Sequence, residues 1–266
     1  LSNLDAKLRN QMRAEIIKLR QRIDTTFIYV THDQTEAMTL GDRIVIMKDG
    51  VIQQIGTPQE VFDHPTNLFV AGFIGTPQMN FFDAELVKED GRYAVVLENA
   101  RVELSEAKQA NLARKQVQPG PITLGVRPEH ISLAGDASQA VRGTVDVAEM
   151  MGSAVHLHVD ACGRDTIVIL QTMDLQGAGH PIPATGSALP FTFGGNVAHV
   201  FDRETGEAQK GTGCLEPFSG RRTSKTGGLW ISFFLGGNGS VKIHIFSTAL
   251  PVGTGGGQVF SRKADA

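Results

Sequence analysis

The chain has 266 residues, of which 41% are hydrophobic and 20% are charged, and its formal net charge is −3. This composition supports one or two domains with apolar cores, and the slightly acidic balance disfavours nucleic-acid binding, which needs a basic surface. The two cysteines, Cys162 and Cys214, are far apart in the sequence. Their spacing disfavours a disulfide framework or a zinc site, and no apolar run approaches the roughly 20 residues of a membrane-spanning helix.

The first predicted element is an amphipathic helix that follows a polar turn. Ser2, Asn3 and Asp5 lie in the turn, and Asp5 is a good N-cap residue. Apolar residues then recur every three or four positions, which predicts one buried stripe. The stripe consists of Leu8, Met12, Ile16, Leu19 and Ile23. Because helix-forming sequence starts so close to Leu1, we expect the chain to be a fragment of a longer protein.

Residues 27–30 form a short apolar run, which predicts a strand buried on both faces inside a parallel sheet. A helix follows at once, with Asp33 as N-cap and Glu36 at the spacing of a capping box. His32 should therefore lie at the carboxyl end of a strand, the edge where α/β sheets bind ligands and helix N-termini attract phosphates. From these residues alone, a histidine that only hydrogen-bonds its neighbours in a loop is an equal alternative.

The next segment predicts a hairpin and two short helices. Residues 43–47 read as a strand, and Asp49 with Gly50 predicts a tight turn into a second strand. Residues 57–60, Thr-Pro-Gln-Glu, supply an N-cap, a first-turn proline and a glutamate at the capping-box position. A second apolar helix is predicted over residues 68–74 and ends at a glycine.

The pattern changes near residue 80 to short alternating segments separated by turns. One helix is predicted over residues 105–115, and the other periodic runs are strand-like. These runs are residues 122–126, 141–147, 154–159, 166–170 and 189–193. Many short strands indicate a small barrel or sandwich. From position 211 onward there are 12 glycines around an uncharged run at residues 229–235, and this tail is assigned to neither part.

The motifs of the first 209 residues resemble those of the ATP-binding subunits of ABC transporters, in particular importers of the maltose and glycerol-phosphate type. The first residues resemble the family's D-loop, the segment around His32 resembles its switch-histidine segment, and the β part resembles its regulatory OB-type (TOBE) domain. The matching segments are residues 1–9, 29–38, 42–47, 56–58, 69–75, 125–131 and 199–206. Residues 174–190 fit poorly.

The resemblance implies an α/β fold for residues 1–78, as the C-terminal part of an ABC nucleotide-binding domain with part of its P-loop NTPase sheet. Residues 79–209 would form a small all-β OB-type (TOBE) regulatory domain, and residues 210–266 stay an unassigned glycine-rich tail. In the family the phosphate-cradling P-loop precedes the D-loop, and no G-x-x-x-x-G-K-S/T motif occurs in this chain. We therefore expect this fragment alone to be inactive.

The resemblance also implies an ATPase coupled to transmembrane transport, with ATP and Mg²⁺ bound between two subunits. His32 would be the catalytic donor to the γ-phosphate, and Ser2, Asn3 and Asp5 would contact the ATP site of the partner subunit. Asp5 acting only as a helix cap is the alternative. The implied partners are a second ATPase subunit in a homodimer, transmembrane permease subunits and a regulatory protein on the OB-like domain. The subunit would be peripheral, on the cytoplasmic face of the inner membrane.

Other interpretations of the β part compete with a purely structural role. A regulatory OB-type binding module could sense an oxyanion or a regulatory protein, whereas single-stranded nucleic acid is disfavoured by an aromatic content of 6%. Residues 127–130, Arg-Pro-Glu-His, are interpreted as a structural turn in which Arg127 pairs with Glu129, in preference to a docking surface. His156 and His158 share one strand face without a metal-ligand pattern, and His199 carries no functional signal.

Overall fold

The computed structural model describes residues 6–23, 26–98, 100–135, 140–177, 181–209 and 229–235. The helices are α1 (Ala6–Arg22), α2 (Gln34–Leu40), α3 (Pro58–Asp63), α4 (Leu68–Phe73), α5 (Glu106–Arg114) and α6 (Thr172–Gly177). The strands are β1 (Phe27–Val30), β2 (Arg43–Lys48), β3 (Val51–Gly56), β4 (Asn80–Glu89), β5 (Arg92–Leu97), β6 (Ala100–Glu103), β7 (Gly120–Val126), β8 (Ser132–Leu133), β9 (Val141–Met150), β10 (Ala154–Ala161), β11 (Arg164–Gln171), β12 (Ala188–Thr192), β13 (His199–Asp202) and β14 (Leu229–Leu235).

The α/β part contains a four-stranded sheet in the order β1-β14-β2-β3. β14 runs parallel to both β1 and β2, whereas β2 and β3 form an antiparallel hairpin. Asp49 and Gly50 close this hairpin with φ angles of 50° and 79°, as the sequence predicts. Residues 229–235, which the sequence left unassigned, form a central strand of this sheet.

The two short helices after the hairpin also follow the sequence. Thr57 accepts from the Glu60 N–H, and the Glu60 carboxylate accepts from the Thr57 N–H, which completes the predicted capping box of α3. Asn67 caps α4 through a bond from the Val70 N–H. α2, α3 and α4 bury Ala37, Val61 and Val70 in the core of this part.

Two sequence-based expectations about burial are wrong within the described residues. In β1, Phe27 and Tyr29 pack against the core, but Ile28 and Val30 are 51% and 41% exposed, so one face of the strand is open. In α1, Ile16 and Ile17 reach the core, because the described elements contact only the side of α1 that faces α2. The other members of the predicted stripe are exposed, namely Leu8, Met12, Leu19 and Ile23.

The β part consists of two five-stranded antiparallel sheets, in the orders β11-β10-β9-β12-β8 and β13-β7-β4-β5-β6. One hydrophobic core is shared by both sheets, and it includes Leu86 and Leu124 of the second sheet and Val145 and Leu157 of the first. All five strand-like runs of the sequence are strands, and the predicted helix is α5. The all-β, OB-type architecture predicted for this part is confirmed.

The buried side chain of Asn80 joins the two sheets. Its Nδ2 donates to the backbone oxygen of Ile167 at 2.8 Å, and its Oδ1 accepts from the Ile167 N–H at 2.9 Å. Asn80 is 6% exposed, so neither backbone group of Ile167 could readily turn to water if the amide were removed.

We expect Asn80→Ala to lower the free energy of unfolding by about 2–3 kcal/mol, because it leaves a buried donor and a buried acceptor unpaired. Urea denaturation followed by circular dichroism measures the loss. Gln118→Ala is the matched control, since the Gln118 amide makes one exposed bond to Gln116. Equal stabilities for the two variants would contradict the bridging role of Asn80.

Candidate functional site

His32 follows β1 directly and precedes α2, so the structure places it at the carboxyl end of a parallel strand, as expected. The residue is exposed. Asp33 caps α2, because its Oδ1 accepts from the N–H groups of Thr35 at 2.7 Å and Glu36 at 3.2 Å. The backbone on the carboxyl side of His32 is therefore fixed by a helix cap while the imidazole faces solvent.

Glu36 does not complete the capping box that its spacing predicts. Its carboxylate is 4% exposed and accepts from the hydroxyls of Thr31 at 2.7 Å and Tyr29 at 3.0 Å. The Asp33 N–H donates instead to the Thr31 hydroxyl at 3.0 Å. The predicted box fails because two hydroxyls from the end of β1 occupy the carboxylate that would otherwise reach back to the cap.

The same bonds change the acidity of Tyr29. Burial, followed by the hydrogen bond to Glu36, raises the pKa of Tyr29 to about 12. The phenol thus stays protonated and keeps donating to Glu36 throughout the physiological range. We name residues 31–34 the His32 loop. The bonds of Tyr29, Thr31 and Asp33 fix the residues on both sides of His32.

Ser2, Asn3 and Asp5, the predicted D-loop contacts, lie outside the described residues. Their role stays a prediction.

The His32 loop is joined to the end of α4 by Gln34. The Oε1 of Gln34 accepts from the backbone N–H of Gly75 at 2.9 Å, across 41 positions of sequence. Gly75 has a φ of +119°, a conformation that favours glycine. The α2 N-terminus is thereby attached to the segment that leads into the β part.

Arg127 makes the corresponding contact from the β part. Its side chain is 1% exposed, with Nη1 donating to the Ile74 carbonyl at 2.7 Å and Nη2 to the Phe62 carbonyl at 2.5 Å. The guanidinium carbon also lies 3.6 Å from the centre of the Phe62 ring. Glu129 is exposed and acts on Arg127 only as a nearby charge, so the predicted pairing is wrong: the backbone carbonyls at the ends of α3 and α4 take the donors.

Two partly buried bases lie near this junction. Burial lowers the pKa of Lys108 to about 8, and its ammonium donates to the Ala198 carbonyl. Burial, with the charges of Lys108 and Arg127 adding to it, lowers the pKa of His199 to about 3, and its ring stacks on Phe201. His199 is thus neutral at physiological pH, an effect of burial that no local sequence pattern could reveal.

Neither His158 nor Cys162 lies in an arrangement that suggests catalysis. His158 lies between Asp165, 3.3 Å from Nδ1, and Glu149, 3.9 Å from Nε2. Burial raises the pKa of the Cys162 thiol to about 11, which makes it a weak nucleophile. Within the described ranges, no group of three or more His, Cys, Asp or Glu could hold a metal ion.

None of the described helices has the length and apolar character needed to cross a membrane.

Two family models match the β part: the MalK OB fold domain over residues 75–131 and the TOBE domain over residues 124–201. The chain is 44% identical over 211 residues to the oligosaccharides import ATP-binding protein MsmX of Bacillus subtilis (strain 168), covering 77% of this chain and 54% of that protein. It is 45% identical over 207 residues to the sn-glycerol-3-phosphate import ATP-binding protein UgpC of Ruegeria sp. (strain TM1040), covering 78% and 53%. Over these residues the chain is similar to ATP-binding subunits of ABC importers.

The chain spans about half the length of the curated relatives it matches. A solved structure of the cytoplasmic molybdate-binding protein ModG covers 46% of this chain and 94% of its own, at 14% identity and a TM-score of 0.35, which is too weak a likeness to bear on function. The resemblance seen in the sequence is confirmed, and the matched OB segment begins at Gly75 and includes Arg127.

The sequence did not reveal the contacts of Gln34, Gly75 and Arg127. Gly75 carried one signal, a glycine after a helix, but that pattern indicates only a C-cap. The partners of Arg127 lie 53 and 65 positions away, beyond the reach of any local motif.

Stability should depend on pH through His199. Between its folded pKa of about 3 and its ordinary value near 6.5, the unfolded chain binds a proton that the folded chain does not. The free energy of unfolding therefore falls as pH drops below about 6.5, by about 2 kcal/mol between pH 7 and pH 5. In His199→Gln this loss of unfolding free energy between pH 7 and pH 5 should be absent. Urea denaturation at both pH values measures it.

His32→Gln is the control, because His32 is an exposed histidine of the same chain and is not among the charges that act on His199. It should retain the wild-type pH dependence. A His199→Gln variant with the wild-type difference between pH 7 and pH 5 would show that His199 is not the titrating group.

Proposed function

We propose that this chain is part of the ATP-hydrolysing subunit of an ABC importer for sugars or glycerol phosphate. Residues 1–78 would be the C-terminal part of the nucleotide-binding domain, and residues 79–209 the TOBE regulatory domain. The observation that carries the proposal is the exposed His32 at the carboxyl end of a parallel strand, on a loop fixed from both sides. The names of the relatives, both import ATP-binding proteins, support the substrate class.

His32 is proposed to donate from its imidazole to the γ-phosphate and to help hold the attacking water. Phosphoryl transfer leaves little covalent chemistry to the protein, so the catalytic contribution is positioning and charge stabilisation. An imidazole on a rigid loop can supply both, because its position is set before the charge develops. ATP is the substrate, and Mg²⁺ would neutralise the phosphate oxygens when bound.

The remaining parts of the site would come from elsewhere in the assembly. Ser2, Asn3 and Asp5 are proposed to contact the ATP site of a second ATPase subunit in a homodimer. The dimer would work with transmembrane permease subunits on the cytoplasmic face of the inner membrane. The TOBE domain is the proposed surface for a regulatory protein.

In the complete ATPase subunit, we expect His32→Ala to lower ATP turnover by roughly 10²–10³, the usual effect of removing a transition-state donor. ATP binding should be nearly unchanged, because the donor acts mainly on the transition state. Steady-state ATPase rates and a nucleotide titration measure the two quantities. His156→Ala, on β10 of the β part, is the control and should leave turnover at the wild-type value; unchanged turnover in His32→Ala would remove His32 from the mechanism.

Residues 1–266 alone should bind ATP weakly and hydrolyse none. The sequence contains no phosphate-cradling G-x-x-x-x-G-K-S/T loop, whose backbone N–H groups hold the phosphates in P-loop enzymes. Isothermal titration with ATP and Mg²⁺ should detect no binding in the micromolar range. A micromolar dissociation constant for this chain would contradict the proposed division of the site.

A further inference from the structure

One peptide group, between Ile74 and Gly75, is hydrogen-bonded on both of its sides. Its carbonyl accepts from Arg127 Nη1 at 2.7 Å, and its N–H donates to Gln34 Oε1 at 2.9 Å. Arg127 follows β7 of the β part, whereas Gln34 is the first residue of α2 and lies two positions after His32. A single planar group therefore connects the β part to the His32 loop.

The geometry at Gly75 restricts movement of this peptide group. A peptide group is planar, so a force on its carbonyl is transmitted to its N–H as a rigid rotation. A Cβ at Gly75 would lie 2.7 Å from Arg127 Nη1 and 3.1 Å from the Pro77 carbonyl, and φ is +119°. Only glycine allows the guanidinium to approach this closely.

Both ends of the connection are stiff. Arg127 is held by its second bond to Phe62 and by stacking on the Phe62 ring, and it is 1% exposed. At the other end, the cap bonds of Asp33 and the bonds of Thr31 and Glu36 fix the residues that flank His32. Between these two ends, a displacement of the β part passes through the Ile74–Gly75 peptide and one further side chain, that of Gln34, whose Oε1 is bonded to the Gly75 N–H.

We infer that the Ile74–Gly75 peptide couples the β part to the His32 loop, with Gln34 and Arg127 acting as positioning residues. A partner or ligand that shifts the β part would change ATP turnover by moving this peptide. The functional half of the inference rests on the proposed role of His32. The structural half does not, so the two can fail separately.

The structural half is tested on this chain by NMR. Arg127→Lys removes one arm of the guanidinium fork, and we expect it to shift the signals of the Gly75 amide, the Gln34 side-chain amide and the His32 ring. Arg164→Lys is the matched control, because Arg164 lies on the β part and pairs with Asp83 at 2.7 Å. The control should leave the His32 loop unchanged.

Shifts confined to the neighbours of residue 127 would overturn the coupling. If Arg127→Lys fails to fold, the reverse experiment applies: Gln34→Leu should shift the Arg127 guanidinium signals, and an unchanged Arg127 would equally overturn it.

The functional half is tested by ATPase kinetics on the complete subunit. Gln34→Leu should lower kcat roughly 10-fold to 100-fold, the scale of a displaced catalytic group, while KM for ATP changes little. Gln34→Glu keeps an oxygen acceptor for the Gly75 N–H and should restore most of kcat. The double variant Gln34→Leu/Arg127→Lys should be no slower than the slower single variant, because both break one connection.

The outcomes separate the two proposals. Two results would overturn the coupling and leave the ATPase assignment intact. One is an additive loss of kcat in the double variant. The other is a wild-type kcat in Gln34→Leu when His32→Ala is inactive. Wild-type turnover in His32→Ala, together with the NMR shifts, would overturn the role of His32 and the functional half of the inference, and would leave the structural half intact.

Discussion

The buried guanidinium of Arg127 is the constraint on which the arrangement of the two parts depends. Taking a charge out of water is costly unless its donors are paired, and burial lowers the pKa of Arg127 to about 10. Here the donors meet the carbonyls of Ile74 and Phe62, which lie at the carboxyl ends of α4 and α3. Such carbonyls lack helical partners and carry partial negative charge, so they suit a cation. The pairing offsets part of the cost of this burial, while Arg127 Nε stays buried with no hydrogen-bond partner among the described residues.

That contact determines where the candidate site lies relative to the β part. The peptide that accepts from Arg127 donates to Gln34, and the cap bonds of α2 carry the constraint to His32. The site is thus built from local bonds near His32 and from one long-range contact to the β part. The proposed coupling would let the β part act on the loop through this contact. The neutral, partly buried His199 and the Lys108 ammonium lie around the same junction.

The sequence predicted features whose causes are local. The Asp49–Gly50 turn and the Thr57 capping box each depend on a few adjacent residues, and both are present. The sequence predicted β1, the Asp33 cap and the position of His32 for the same reason. The motifs of the first 209 residues also pointed to the correct family. The β strands were found because alternation and turn signals recur along the chain.

What the sequence could not predict depends on distant partners. Glu36 stands at the capping-box position, but two hydroxyls at the end of β1 compete for its carboxylate. Arg127 was assigned to a neighbouring glutamate, because its actual partners are backbone carbonyls that no side-chain pattern marks. Residues 229–235 were an uncharged run without an assignment, and only the sheet shows that they form a strand between β1 and β2.

Amide hydrogen exchange at Gly75 tests most directly whether the peptide joins the two parts. In the wild-type chain we expect the Gly75 N–H to exchange roughly 100-fold more slowly than the Gly152 N–H, because the Gly75 N–H is bonded to Gln34. Gly152 is an exposed glycine between β9 and β10. Gln34→Leu should abolish most of that protection. A Gly75 amide that exchanges as fast as Gly152 in the wild-type chain would contradict the account.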